Sequence, residues 1–305
     1  MVKATLIETV RVKNELGEGV IWDVNEAAVW WVDIDGSTLY RYRPEGKKLD
    51  QWTTPERLAS FALVIDSDYL VCGFASGFAY FNPWTADLQW QQSIESKNGS
   101  IRLNDGRADR QGRFWAGGMV ENGGQSGGVL YCLDQQLKVS EKVSGLRISN
   151  GLCWSPDSSF MYHTDTPSRR IDRYDFDSAS AEIGNKVTFV DTQEGCFPDG
   201  STVDAQGCIW NAQWAASQVV RYNPKGEVDF VLRLPVSQPT CIAFGGPKLD
   251  MLFVTSASQG LSTTARAEQP DAGSLFIFQT NITGIADPLF LPTYPPQQAI
   301  NSDLS

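Results

Sequence analysis

The chain has 305 residues, 42% hydrophobic and 11% aromatic, enough to bury a full core and unlike a disordered polymer. Its formal charge of −11 removes the attraction to phosphate on which nucleic-acid binding depends, and suits cations and neutral polar ligands better than polyanions. No apolar run approaches the length of a membrane span, so neither a nucleic acid nor a bilayer is expected as a partner.

The beginning of the chain, Met1 to Val10, carries charge inside its apolar run and lacks the apolar core of a secretion signal. The six cysteines (Cys72, Cys132, Cys153, Cys196, Cys208 and Cys241) include no C-x-x-C pair, which argues against a zinc or thioredoxin-type site. We expect a cytoplasmic protein whose cysteines are reduced and mostly in the core. The one histidine, His163, lies in a strand-like run, Met161-Tyr162-His163-Thr164-Asp165, and reads as structural. A metal site rich in histidine cannot be built from it.

Taken in order, the chain repeats itself. An Asp-containing turn, an aromatic-rich strand and a further strand recur after Asp23, Asp66, Asp109, Asp157 and Asp204, at spacings of 43, 43, 48 and 47 residues, with a sixth copy about 43 residues on, near Pro247. Trp30-Trp31, Phe114-Trp115 and Ile209-Trp210 occupy the first strand after three of these turns. Six copies of this length, each holding several short strands, predict an all-β, six-bladed β-propeller; a pair of sandwiches needs no such period. Ring closure is expected from an N-terminal strand at about Thr5 to Val12 that completes the last blade. No linker divides residues 1–305, so one propeller domain is expected, with a short Pro-rich tail (Leu291 to Pro296 and the polar end to Ser305) past the last repeat.

In a propeller the innermost strand of each blade lines a central channel, so one repeat position converges from all blades. Five residues before the turn the copies carry Glu18, Phe61, Asn104 and Asp199; in the fourth and sixth, where the turn is two residues longer, Asn150 and Thr240 lie seven residues before it. Glycine beside the polar residue (Gly17-Glu18-Gly19, Asn150-Gly151, Asp199-Gly200) lets the backbone approach the axis. Any one of these side chains could simply cap a turn. Four in phase point instead to a mouth with two carboxylates and two amides, hard oxygen donors that suit Ca²⁺, Mg²⁺ or Mn²⁺ and admit Zn²⁺ or Fe²⁺. Such an ion with open positions can polarise a carbonyl or acidify water, and Asp199 beside it can take a proton. Arg102 points to the same side of its strand as Asn104; it reads either as a substrate contact or as a surface arginine with a buried stem. Glu121 reads either as a partner for substrate hydroxyls or as a solvated loop residue.

The motifs Leu16-Gly17-Glu18-Gly19, Arg102-Leu103-Asn104-Asp105-Gly106, Ala116-Gly117-Gly118-Met119, Ile148-Ser149-Asn150-Gly151-Leu152 and Pro198-Asp199-Gly200 resemble the senescence marker protein-30/gluconolactonase/regucalcin-like family, in order over nearly the whole chain. The resemblance implies a six-bladed propeller that hydrolyses sugar lactones with one divalent metal ion, Ca²⁺ first among the candidates. It implies Glu18, Asn150 and Asp199 as the metal ligands, Asp199 also as the general base, and Arg102, Asn104 and Glu121 as substrate contacts. The chain departs from the family where paired acids are frequent: Glu121 is followed by Asn122. The implied reaction opens an aldonolactone to its acid in aldose oxidation. The alternatives are a non-catalytic calcium-binding regulatory propeller, or an organophosphate or aryl-ester hydrolase on the same fold.

Overall fold

The computed structural model describes residues 1–94, 100–121 and 126–296. Among these residues, 24 strands form six four-stranded antiparallel sheets. Blade 1 runs outward from Gly17–Asp23 through Ala28–Asp33 and Thr38–Arg43 to Lys48–Thr53. The innermost strands of the next five blades are Leu58–Leu63, Ile101–Ala108, Ser149–Trp154, Phe197–Val203 and Pro239–Gly245. These six strands neighbour one another in a closed ring. The architecture is the expected six-bladed propeller.

Local chemistry explains the period. Asp109 Oδ1 accepts the backbone N–H groups of Gln111 and Arg113, both at 3.0 Å, while Oδ2 accepts Trp115 Nε1 at 2.9 Å. Two blades on, Asp204 does the same with Gln206, Cys208 and Trp210 at 2.9, 3.1 and 2.9 Å. Each such Asp caps its turn and pins the aromatic strand that follows. The aromatic rings then fill the space between blades: Trp22 stacks on Phe253 with centroids 5.3 Å apart, and Phe78 meets Phe114 edge-on at 6.1 Å. Trp30, Trp31, Trp115 and Trp210 are fully buried.

Blade 6 takes its outermost strand from the other end of the chain. Ala4–Val10 pairs antiparallel with Leu275–Thr280, from Ala4 opposite Thr280 to Val10 opposite Leu275. The closing strand is thus shifted slightly from the expected Thr5 to Val12. It stops because the chain must turn into blade 1: Lys13 takes a φ of 58° and Asn14 N donates to Gly273 O at 2.9 Å. One short helix, Thr263–Glu268, capped by Ser262, interrupts the blade 6 repeat. No helix among the described residues is long and apolar enough to cross a membrane. All six cysteines are unpaired, and all but Cys196 are buried.

His163 is 1% exposed and shares a 2.7 Å hydrogen bond with Ser149 Oγ through Nε2. Burial, with Lys186 nearby, pushes its pKa down to about 3. The folded chain therefore keeps it neutral, whereas the unfolded chain takes up a proton near pH 6.5. The stability this residue contributes is whole above that pH and is lost as the pH falls toward the folded value. The melting temperature of the wild type is expected to fall more steeply below about pH 6 than that of His163→Gln; parallel curves would contradict this.

Candidate active site

A break in strand register lies at the same place in each polar blade. The pairing of innermost and second strands shifts between Glu18 and Ile21, Leu103 and Gly106, Asn150 and Cys153, and Pro198 and Ser201. Such bulges re-aim side chains, and here they turn Glu18, Asn104, Asn150 and Asp199 to the axis. Gly19 and Gly151 adopt φ of 59° and 66°, which glycine reaches without cost. A Cβ on Gly151 would lie 3.1 Å from the Asp199 carbonyl oxygen, so the backbones of blades 4 and 5 meet there.

A cavity of about 360 Å³ opens at this end of the channel. Its walls include Glu18, Arg102, Asn104, Asn150 and Asp199, with Leu16, Met119, Ile148, Phe197 and Trp214 supplying apolar surface. Arg102 Nη1 donates to Asn104 Oδ1 at 2.7 Å and to Leu103 O at 2.9 Å. Asn104 Nδ2 donates to Ser149 O and to Asn150 Oδ1, both at 3.0 Å. Asn150 Nδ2 donates to Thr166 Oγ1 at 2.8 Å, and that hydroxyl donates to Pro198 O at 2.9 Å. The Asn150 amide is therefore locked, with Oδ1 on the Asn104 side.

The carboxylates are less well provided for. Asp199 is 4% exposed and its Oδ1 is buried with no hydrogen-bond partner; Glu18 Oε2 accepts only a long bond, 3.3 Å, from Gly19 N. Burial, the neighbouring Asp105 and little counter-charge push Glu18 up to about 8. Burial and the charges of Glu18 and Asp105 push Asp199 well above the usual carboxylate range. Two buried carboxylates with unspent lone pairs need a partner. The donor set of Glu18, Asp199 and Asn150 Oδ1 fits a hard divalent cation in its chemistry, although among the described residues no group of three or more His, Cys, Asp and Glu side chains is placed to hold one.

Five of the six residues singled out in the sequence meet in this cavity. Glu121 does not line it: its carboxylate is gripped by Arg57, Nη1 to Oε1 at 2.7 Å and Nη2 to Oε2 at 2.9 Å, and stands 3.4 Å from Arg102 Nε. Those bonds from Arg57 hold Glu121 below its ordinary pKa. Asn122 lies outside the described residues. Of the other in-phase positions, Phe61 joins the core and Thr240 spends its hydroxyl on Gly17 O and Thr255 Oγ1. Asp105 was missed because strand alternation would turn it away from Asn104; the bulge keeps it near Glu18 and Asp199 instead. Thr166 was missed because it opens a one-turn 3-10 helix, Thr166–Ser168, after the next strand.

Comparison with known proteins places the chain in a family. Residues 16–258 match the model of the SMP-30/Gluconolactonase/LRE-like region. The chain is 38% identical to L-arabinolactonase of Azospirillum brasilense over 95% of its own length and 96% of that protein. It is 33% identical to 6-deoxy-6-sulfogluconolactonase of Pseudomonas putida, over 94% and 98% of the two chains. The crystal structure of a calcium-binding protein, regucalcin, from Agrobacterium tumefaciens superposes with a TM-score of 0.89 at 29% identity, covering 93% of this chain and 97% of that one. The chain belongs to the SMP-30/gluconolactonase/LRE-like family.

Proposed function

We propose that the cavity hydrolyses a sugar lactone, a pentono- or hexonolactone, to its aldonic acid with one divalent cation, Ca²⁺ first among candidates. The observation that carries this is the pair of buried carboxylates, Glu18 and Asp199 with its unpartnered Oδ1, in a cavity shared with Arg102 and Asn104. The volume, about 360 Å³, falls in the range of small-molecule sites. Two relatives are named as lactonases of sugar acids.

Glu18, Asn150 Oδ1 and Asp199 would hold the ion. When bound, it supplies polarisation of the lactone carbonyl and acidification of water. Asp199 takes the proton of the attacking water as a C–O bond forms at the carbonyl carbon. It returns that proton to the ring oxygen as the ring C–O bond breaks, so the product is an open hydroxy acid. Burial lowers the pKa of Arg102, with Glu121 opposing; the side chain lines the cavity beside Asn104, and its guanidinium can hold sugar hydroxyls there. Arg102→Met is expected to raise KM ten- to a hundredfold, roughly the loss of one charged hydrogen bond, with a smaller change in kcat. Steady-state kinetics on the best lactone checks it, and an unchanged KM would remove Arg102 from the binding site.

The experiment is acid release in a pH-stat from a panel of five- and six-membered aldonolactones, with an aryl ester and an organophosphate alongside. Hydrolysis of at least one aldonolactone well above the buffer rate is expected; turnover of the aryl ester or organophosphate alone would overturn the reading. The likeness to a protein described as calcium-binding favours one second reading, a propeller that binds the cation without turning over. It predicts cation binding and no acid release.

A further inference from the structure

The cavity sits at the starting ends of the innermost strands. At their finishing ends, the opposite face of the ring, is a small cavity of about 30 Å³ lined by Arg107, Arg110, Cys153, Thr202 and residues 285–288. Residues 281–293 follow the last blade strand and cross this face. Gly284 N donates to Leu249 O in blade 6 at 2.7 Å, and Thr283 O accepts Ala205 N in blade 5 at 3.0 Å. Asp287 Oδ2 accepts Trp22 N in blade 1 at 3.1 Å. Phe290 exchanges backbone bonds with Leu63 and Ile65 in blade 2, at 2.8 and 3.1 Å, and Leu291 N and Thr293 N donate to Gly112 O and Gln135 O in blade 3, at 3.0 and 2.7 Å. The segment ties five blades together.

At its middle, Asp287 Oδ1 is 2.6 Å from Arg107 Nη1, with the two side chains 9% and 8% exposed. Arg107 Nη2 also donates to Ile242 O at 3.1 Å. Arg107 comes two residues after Asp105, whose Oδ2 accepts Leu152 N at 3.1 Å and whose charge reaches Glu18 and Asp199. Burial works against the Arg107 guanidinium, but Asp287, together with Cys241, Asp105 and Cys153, outweighs it and holds its pKa above the usual value. Through the ring, Asp287 and Asp105 thus flank the Arg107 cation, and Asp105 in turn stands as a like charge beside the carboxylates of the candidate site.

We propose that segment 281–293 is a strap across the far face of the propeller, and that its Asp287, by neutralising Arg107, is a positioning residue that sets the affinity of the Glu18–Asn150–Asp199 site for a divalent cation. This rests on the reading of those three residues as the cation site. Without Asp287, Asp105 remains as the carboxylate that offsets the buried positive charge of Arg107, so more of that charge reaches the site and repels the ion.

Calorimetric titration of chelator-treated, dialysed full-length protein with CaCl₂ tests it. Asp287→Asn is expected to weaken Ca²⁺ binding about tenfold. Arg107→Met, which removes the opposite charge, is expected to bind at least as tightly as wild type, and the double variant to return close to it. A merely structural strap would weaken binding in all three. Wild-type affinity in Asp287→Asn, or weakening in Arg107→Met, would overturn the proposal; the second variant decides if the first does not fold. Glu18→Gln separates the two readings. If it weakens binding and Asp287→Asn does not, only the strap proposal fails. If Glu18→Gln binds as wild type, the cation site is misplaced and the strap proposal falls with it.

Discussion

Asp199→Ala is expected to lower kcat for lactone hydrolysis about a thousandfold, the usual cost of removing a positioned general base, and to do so without unfolding the protein. The backbone of this residue does the structural work: its carbonyl accepts Asn211 Nδ2 at 2.9 Å. The carboxylate contributes an unpartnered Oδ1 buried beside Glu18 and Asp105. In chelator, removing a carboxyl group buried beside two others relieves its burial penalty and any repulsion between them. The melting temperature of the variant should therefore equal or exceed that of wild type while its turnover collapses. A variant that loses activity only because it has unfolded would show the reverse, a lowered melting temperature in chelator.

Cation removal is the second large effect. If Glu18, Asn150 and Asp199 hold the ion, Ca²⁺ at about a hundred times its dissociation constant stabilises the fold by about 2.7 kcal/mol. For a chain of this size that is a rise of at least several degrees in melting temperature. Glu18→Gln removes one of the charges that the ion offsets and should lose most of that rise. Differential scanning fluorimetry in chelator and in excess CaCl₂ reads both. Equal shifts in wild type and Glu18→Gln would move the ion elsewhere on the protein.

How much could be read in advance depends on whether the cause was local in the chain. The turns at Asp109 and Asp204 are closed by hydrogen bonds to residues two, four and six positions on, so their spacing exposed the blades directly. Glu18, Asn150 and Asp199 were legible because each stands beside a glycine at the same phase of that repeat. Asp105 was not, because a bulge overrides the two-residue alternation that strand reasoning assumes. The grip of Arg57 on Glu121 joins residues from different blades, and no spacing announces it. Asp287 lies after the last repeat, where periodicity has nothing to say; only the ring brings it beneath Arg107.

The decisive measurement is acid release from the best aldonolactone by wild type and Asp199→Ala, each stripped with chelator and then given back CaCl₂, MgCl₂ or MnCl₂. The prediction is that stripping silences the wild type, that a divalent ion restores it, and that no ion restores Asp199→Ala. Undiminished hydrolysis by the stripped wild type, or turnover by Asp199→Ala at the wild-type rate, would contradict it.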